Sequence, residues 1–185
     1  MITNLYFNNL NKVLSSMDLK SIEKAINIIK ETVANSKKVI TCGNGGSAYA
    51  ASHYITDWNK SFNLSTGKQF KGLSLCDNYG LVTAYANDTS YEEVFSGQLN
   101  NIGEKDDLLI VVSGSGNSKN VINALKKASL LGISTLAFVG YDGGECLKIA
   151  NHSIHIPSFD MQICEDIHLI LGHIIMKEIC SYDLK

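Results

Sequence analysis

The sequence lacks the features that would direct it to a membrane, a nucleic acid or an oxidising compartment. No apolar run in its 185 residues approaches the roughly 20 that a membrane helix needs. The opening MITNLYFNNLNKVL shows no charged start followed by an apolar stretch, so a secretory signal is not expected. Lys and Arg number 16 against 18 Asp and Glu, a formal charge of −2, which removes the basic balance of a nucleic-acid binder. Five cysteines (Cys42, Cys76, Cys146, Cys164, Cys180) carry no CxxC spacing. Their odd number predicts reduced thiols and a cytoplasmic protein. Neither GxxxxGK[ST] nor GxGxxG occurs, which argues against an NTP-hydrolysing P-loop and a dinucleotide site. Repeats, low-complexity tracts and domain boundaries are also missing. The length suits one domain over 1–185, with 1–36 as a helical extension of the same unit.

What is present centres on residues 38–57. Lys38 to Cys42 reads as a short strand, with β-branched Val39, Ile40 and Thr41 in a run too short for a helix. Gly43-Asn44-Gly45-Gly46-Ser47 breaks it, and Ala48, Ala50 and Ala51 then favour a helix. A strand, a glycine-rich turn and a helix start make an anion site, because the glycines admit a ligand to the backbone and the first helical N–H groups face it. His53 and Asp57 follow four residues apart, on one face of that helix.

The rest of the chain alternates. Two amphipathic helices, 2–16 and 19–35, precede the first strand; they either cover the sheet or pack on a second copy. Asn59 to Lys71 is polar and reads as an ordered loop. Strands are expected at 72–76, 108–112, 133–139 and 152–156, the last closed by the only proline, Pro157. Helical segments around 79–86 and 90–102 flank Asn87-Asp88. A helix over 118–131 stops at Gly132, a short one follows Tyr141-Asp142-Gly143-Gly144, and the last runs over 160–181. This alternation predicts an α/β/α sandwich around a five-stranded, mainly parallel sheet, with two added N-terminal helices. Ligands of such sheets sit outside the carboxyl ends of the strands, where 43–47, 77–78 and 113–118 all fall.

The turn Ser113-Gly114-Ser115-Gly116-Asn117-Ser118 places three hydroxyls and several N–H groups before a helix, a suitable cradle for a phosphate monoester. On the final helix stand Glu165, His168 and His173. His168, followed by apolar residues, reads as semi-buried structure. Glu165 and His173 lie eight residues apart, about 12 Å along a helix axis, so one metal bound by both is strained within a single chain and relaxed between copies. Imidazoles with carboxylates fit a Zn²⁺-like ion. His152 and His155 fall on opposite faces of a strand and do not act together.

CGNGGSAYAASH, AND, SGSGNS, YDGGE and the last-helix ExxHxxxxH together resemble the sugar isomerase (SIS) domain of bacterial phosphoheptose isomerases, a flavodoxin-like fold, over nearly the whole chain. The resemblance implies a homotetramer with active sites between subunits, a phosphosugar substrate, zinc in several members, and conversion of sedoheptulose 7-phosphate to D-glycero-D-manno-heptose 7-phosphate. It implies substrate contacts from Asn44, Gly45, Gly46, Ser47, Asp57, Asn87, Asp88, Ser113, Gly114, Ser115, Ser118 and Glu165. His53, Asp57, Glu165 and His173 become the metal set, and Asp57 and His173 the catalytic pair. Two positions depart from the family pattern: Asp57 stands for a glutamate and Glu165 for a glutamine. Both changes keep acid/base and ligand chemistry, so a retuned enzyme is expected. The alternatives are an isomerase of another phosphosugar, or a non-catalytic tetrameric scaffold like the bacterial initiator-associating protein, which shares a YDGGE-like turn.

Overall fold

The computed structural model describes residues 1–181. Its strands are β1 (Val39–Gly43), β2 (Gly72–Ser74), β3 (Leu108–Ser113), β4 (Ser134–Val139) and β5 (His152–His155). They form one sheet in the order β2-β1-β3-β4-β5, and every pairing is parallel, not only most of them. The helices are α1 (Ile2–Ser15), α2 (Leu19–Ala34), α3 (Gly46–Thr66), α4 (Tyr79–Asp88), α5 (Ser96–Ile102), α6 (Lys119–Leu131), α7 (Gly144–Ile149) and α8 (Met161–Ser181), with a 3-10 turn at Tyr91–Glu93.

Strand alternation divides the core into two layers. Leu108, Ile110 and Val112 face α2, α3 and α8, while Leu109 and Val111 face α5, α6 and α7. All of β3 is buried, so the strand reads as an unbroken apolar run rather than an alternating one. The leading helices differ from each other. α2 buries Ile22, Ala25, Ile26 and Ile29 on the sheet, and Asp18 caps it by accepting from the Lys20 N–H at 3.0 Å. α1 buries no residue; Tyr6, Leu10, Val13 and Leu14 rest on the core while Ile2, Leu5 and Phe7 stay exposed.

The loop expected from Asn59 to Lys71 is helical as far as Thr66. Polarity concealed a continuing stripe: Ile55, Trp58 and Phe62 are buried at helical spacing. Asn59 uses its polarity internally, exchanging bonds of 3.0 and 3.1 Å with the backbone of Gly72 on β2.

α3 and α8 pack side by side and run the same way. The Tyr54 hydroxyl donates to the His168 carbonyl at 2.6 Å, and the Trp58 indole N–H to the Gly172 carbonyl at 2.9 Å. Gly172 permits this approach, since a Cβ there would run into the Tyr54 ring. The strand order reverses direction between β1 and β3, and a doubly wound sheet opens its ligand crevice at such a point.

Candidate active site

The crevice between the carboxyl ends of β1 and β3 is a cleft of about 260 Å³. It is lined by Asn44, Gly45, Gly46 and Ser47 from one side, Ser113, Gly114, Ser115 and Ser118 from the other, and Met161 and Glu165 from α8. Gly45 holds φ +55° at the turn into α3, a conformation that favours glycine. Gly116 holds φ +64° and also lies against the Gly143 carbonyl, where a Cβ would collide. The Ser113 hydroxyl accepts from the Gly116 N–H at 3.0 Å, and that of Ser115 from the Asn117 N–H at 3.2 Å. Both keep a proton to donate outward. Ser118 occupies the N-cap of α6, yet its side chain makes no capping bond. Small hydroxyls, loop amides and a helix N-terminus together fit a phosphate.

A second cluster lies two helical turns further along α3 and α8. His53 Nε2 and His173 Nε2 face each other at 3.1 Å, with the rings edge-to-face. Asp57 Oδ2 sits 3.4 Å from the first and 3.9 Å from the second. Helical spacing explains the first pair, and the α3–α8 packing delivers His173 to it. Lys60 approaches the other carboxylate oxygen at 3.7 Å. Ligand atoms of His53, Asp57 and His173 all lie within 4.8 Å of one another. The His53 and His173 side chains are 40% and 50% exposed. Two imidazoles and a carboxylate with an open side form a donor set that fits a catalytic zinc.

The expected site residues therefore separate into groups. Asn44 to Ser47, Ser113 to Ser115, Ser118 and Glu165 share the cleft. His53, Asp57 and His173 share the cluster. Glu165 is not in that cluster: its carboxylate lies against Gly46, eight residues before His173 on α8. Asn87 and Asp88 end α4, where Asn87 donates to its neighbour's carboxylate at 2.8 Å, outside the cleft lining. His152 and His155 each bond a backbone carbonyl, of Ser21 at 3.0 Å and Tyr141 at 2.9 Å. His168 is buried completely, not partly. Burial pushes its pKa down to about 4, against a weaker opposing pull from the Phe138 backbone. Neither ring nitrogen has a partner of good hydrogen-bond geometry.

Sequence reasoning passed over Tyr91 and Asn120, whose side chains both bond that of Asn44. The available signal was a polar Asn120 at a helical position that also faces the core, where it is 3% exposed.

Residues 5–140 match the SIS domain family. The phosphoheptose isomerase of Helicobacter pylori strain P12 is 37% identical over 166 residues, 90% of this chain and 85% of that protein. That of Aliarcobacter butzleri is also 37% identical, over 90% and 87% of the two chains. Among solved structures, the phosphoheptose isomerase of Neisseria gonorrhoeae superposes with a TM-score of 0.89 at 26% identity, covering 97% of each chain. No helix among the described residues is long and apolar enough to cross a membrane.

Proposed function

The chain belongs to the phosphoheptose isomerase family of SIS-domain proteins, and from that premise we propose that it interconverts sedoheptulose 7-phosphate and D-glycero-D-manno-heptose 7-phosphate, in the cytoplasm, for bacterial heptose biosynthesis. The observation that carries this reading is the convergence of His53, Asp57 and His173 within 4.8 Å on the same two helices that wall a phosphate-sized cleft. A scaffold has no use for that donor set.

The serine loop holds the phosphate and so anchors the sugar away from its reacting carbons, where binding energy orients them. Asp57 and His173 handle the protons. One takes a proton from C1 of the ketose, giving a cis-enediol, and the proton returns at C2. The other moves a proton between the two oxygens, so that the C2 carbonyl becomes a hydroxyl and the C1 hydroxyl becomes the aldehyde. His53 supports both groups through the contacts described. The site also fits Zn²⁺, which His53, Asp57 and His173 would hold, with Glu165 as a further ligand if a second copy brings it there; bound, the ion would supply Lewis-acid stabilisation of negative charge on the sugar oxygens.

Glu165 and His173 lie too far apart on one helix to serve the same atom, which supports a homotetramer in which one subunit's cluster meets another's cleft. Asn87 and Asp88, exposed and outside the lining of their own cleft, are assigned to the substrate site by the family likeness. A second reading, another phosphosugar in the same reaction, is favoured by one observation: Glu165 places a carboxylate in the cleft where the family carries an amide.

The test is turnover of sedoheptulose 7-phosphate by the purified protein, with and without zinc, beside Asp57→Asn and His173→Ala. Turnover lost in both variants supports the reading. Absence of wild-type turnover with any metal, in a folded oligomer, overturns the heptose assignment.

A further inference from the structure

We propose that Asn120 and Tyr91 are positioning residues that fix how the Asn44 carboxamide meets the phosphosugar, an inference that rests on the isomerase reading of the cleft. The orientation is set from the backbone outward. The Val121 N–H lies 3.0 Å from Asn120 Oδ1, and a backbone amide only donates, so that side-chain atom is the oxygen. The Asn44 atom 2.8 Å from it is then Nδ2, donating. Asn120 Nδ2 returns a bond to Asn44 Oδ1 at 2.9 Å. The Tyr91 hydroxyl reaches the same Oδ1 at 2.9 Å and has to donate as well.

Asn44 Oδ1 thus holds two donors, its full complement, while Nδ2 retains one N–H. Toward a ligand, the Asn44 side chain is a donor only. It serves a phosphoryl, carbonyl or hydroxyl oxygen, and offers no acceptor to a sugar hydroxyl proton.

Both partners are themselves held. Asn120 is buried near the start of α6. Tyr91 opens the 3-10 turn, which Lys119 secures by its 2.8 Å ion pair with Glu92. Asn123 adds bonds to the Glu92 carbonyl at 3.2 Å and the Glu93 carboxylate at 3.0 Å. The glycine turn after β1 is therefore fastened to the helix that follows the serine loop, and the two walls of the cleft hold one spacing.

The test compares Asn120→Asp, Tyr91→Phe and the double variant in steady-state kinetics with sedoheptulose 7-phosphate. Asn120→Asp sets an acceptor against Asn44 Oδ1 in either orientation of the amide, and KM rises about thirtyfold, with kcat within about threefold. Tyr91→Phe removes one donor from an exposed hydroxyl and raises KM about threefold. The double variant is no worse than Asn120→Asp alone, because both changes act on one atom. KM within twofold of wild type in Asn120→Asp, or a loss confined to kcat, overturns the assignment. A substrate-free arm separates this from failure of the isomerase reading: the Asn44 side-chain amide resonances of the wild type shift in Asn120→Asp, and unshifted resonances overturn the pairing whatever the substrate.

Discussion

The two ends of the sheet treat polar groups in opposite ways. At the amino end, Asp107 is 1% exposed and its carboxylate is fully engaged. It accepts from the Lys38 N–H at 2.8 Å and the Glu104 N–H at 2.9 Å, and pairs with the Lys38 ammonium at 3.2 Å. At the carboxyl end, Ser113, Ser115 and Ser118 keep protons to donate, and the cluster beyond them is half-exposed. One end uses its hydrogen bonds to hold the fold, and the other keeps them available to a ligand. In a parallel sheet this asymmetry follows from the helix N-termini all opening at the carboxyl end.

The strongest attempt to break the contrast is His173→Ala. Loss of a proton-transfer group lowers kcat/KM by about a thousandfold or more, while its half-exposed position leaves the unfolding midpoint within a few degrees. A comparable loss of stability would show that the cluster also holds the fold. The mirror experiment is Asp107→Ala, which leaves the Lys38 and Glu104 N–H groups without their acceptor and the Lys38 ammonium with Glu104 alone. It costs about 3 kcal/mol in denaturant unfolding with kcat/KM unchanged.

His168 sharpens the contrast, because it lies between Glu165 and His173 in sequence yet belongs with stability. Its folded pKa of about 4 lies below the ordinary value of about 6.5. The unfolded chain therefore binds more protons between those limits, and stability rises with pH across that window. The contribution is complete above about pH 6.5 and is lost as pH falls toward 4, amounting to about 2 kcal/mol between pH 7 and 5. Urea midpoints at the two pH values measure it, and His168→Leu flattens the difference. The smallest effect is that of Ser118→Ala. An N-cap serine replaced by alanine ordinarily costs about 1 kcal/mol, but this side chain makes no cap bond. Stability then changes by less than about 0.5 kcal/mol, while KM rises about fivefold through the lost phosphate contact.

Much of this was legible in the sequence, for physical reasons that differ by element. β1 and β3 announced themselves through short β-branched runs, and the glycine and serine turns through residues that only special backbone geometry requires. His53 and Asp57 were paired by helical spacing alone. The continuation of α3 through Asn59 to Thr66 was hidden, since Asn59 spends its polarity on the Gly72 backbone across the fold. Local spacing does not report such a partner. The same limit concealed Asn120 and Tyr91, which meet Asn44 from 76 and 47 residues away. His173 joined the catalytic pair by family likeness, and the α3–α8 packing supplies the reason it reaches Asp57.

Cleft and cluster are set apart along α3 and α8 within one chain, and on the proposed reading they join between copies. Mixed oligomers test it directly. His173→Ala lacks a working cluster, and Ser115→Asp carries a charge that repels phosphate from the cleft. Each alone is inactive toward sedoheptulose 7-phosphate. Unfolded and refolded together, they are expected to regain about a quarter of wild-type activity, from the sites that combine two intact halves. Activity no higher than the sum of the two parents, in oligomers shown to be mixed, would contradict the claim and place each complete site within a single chain.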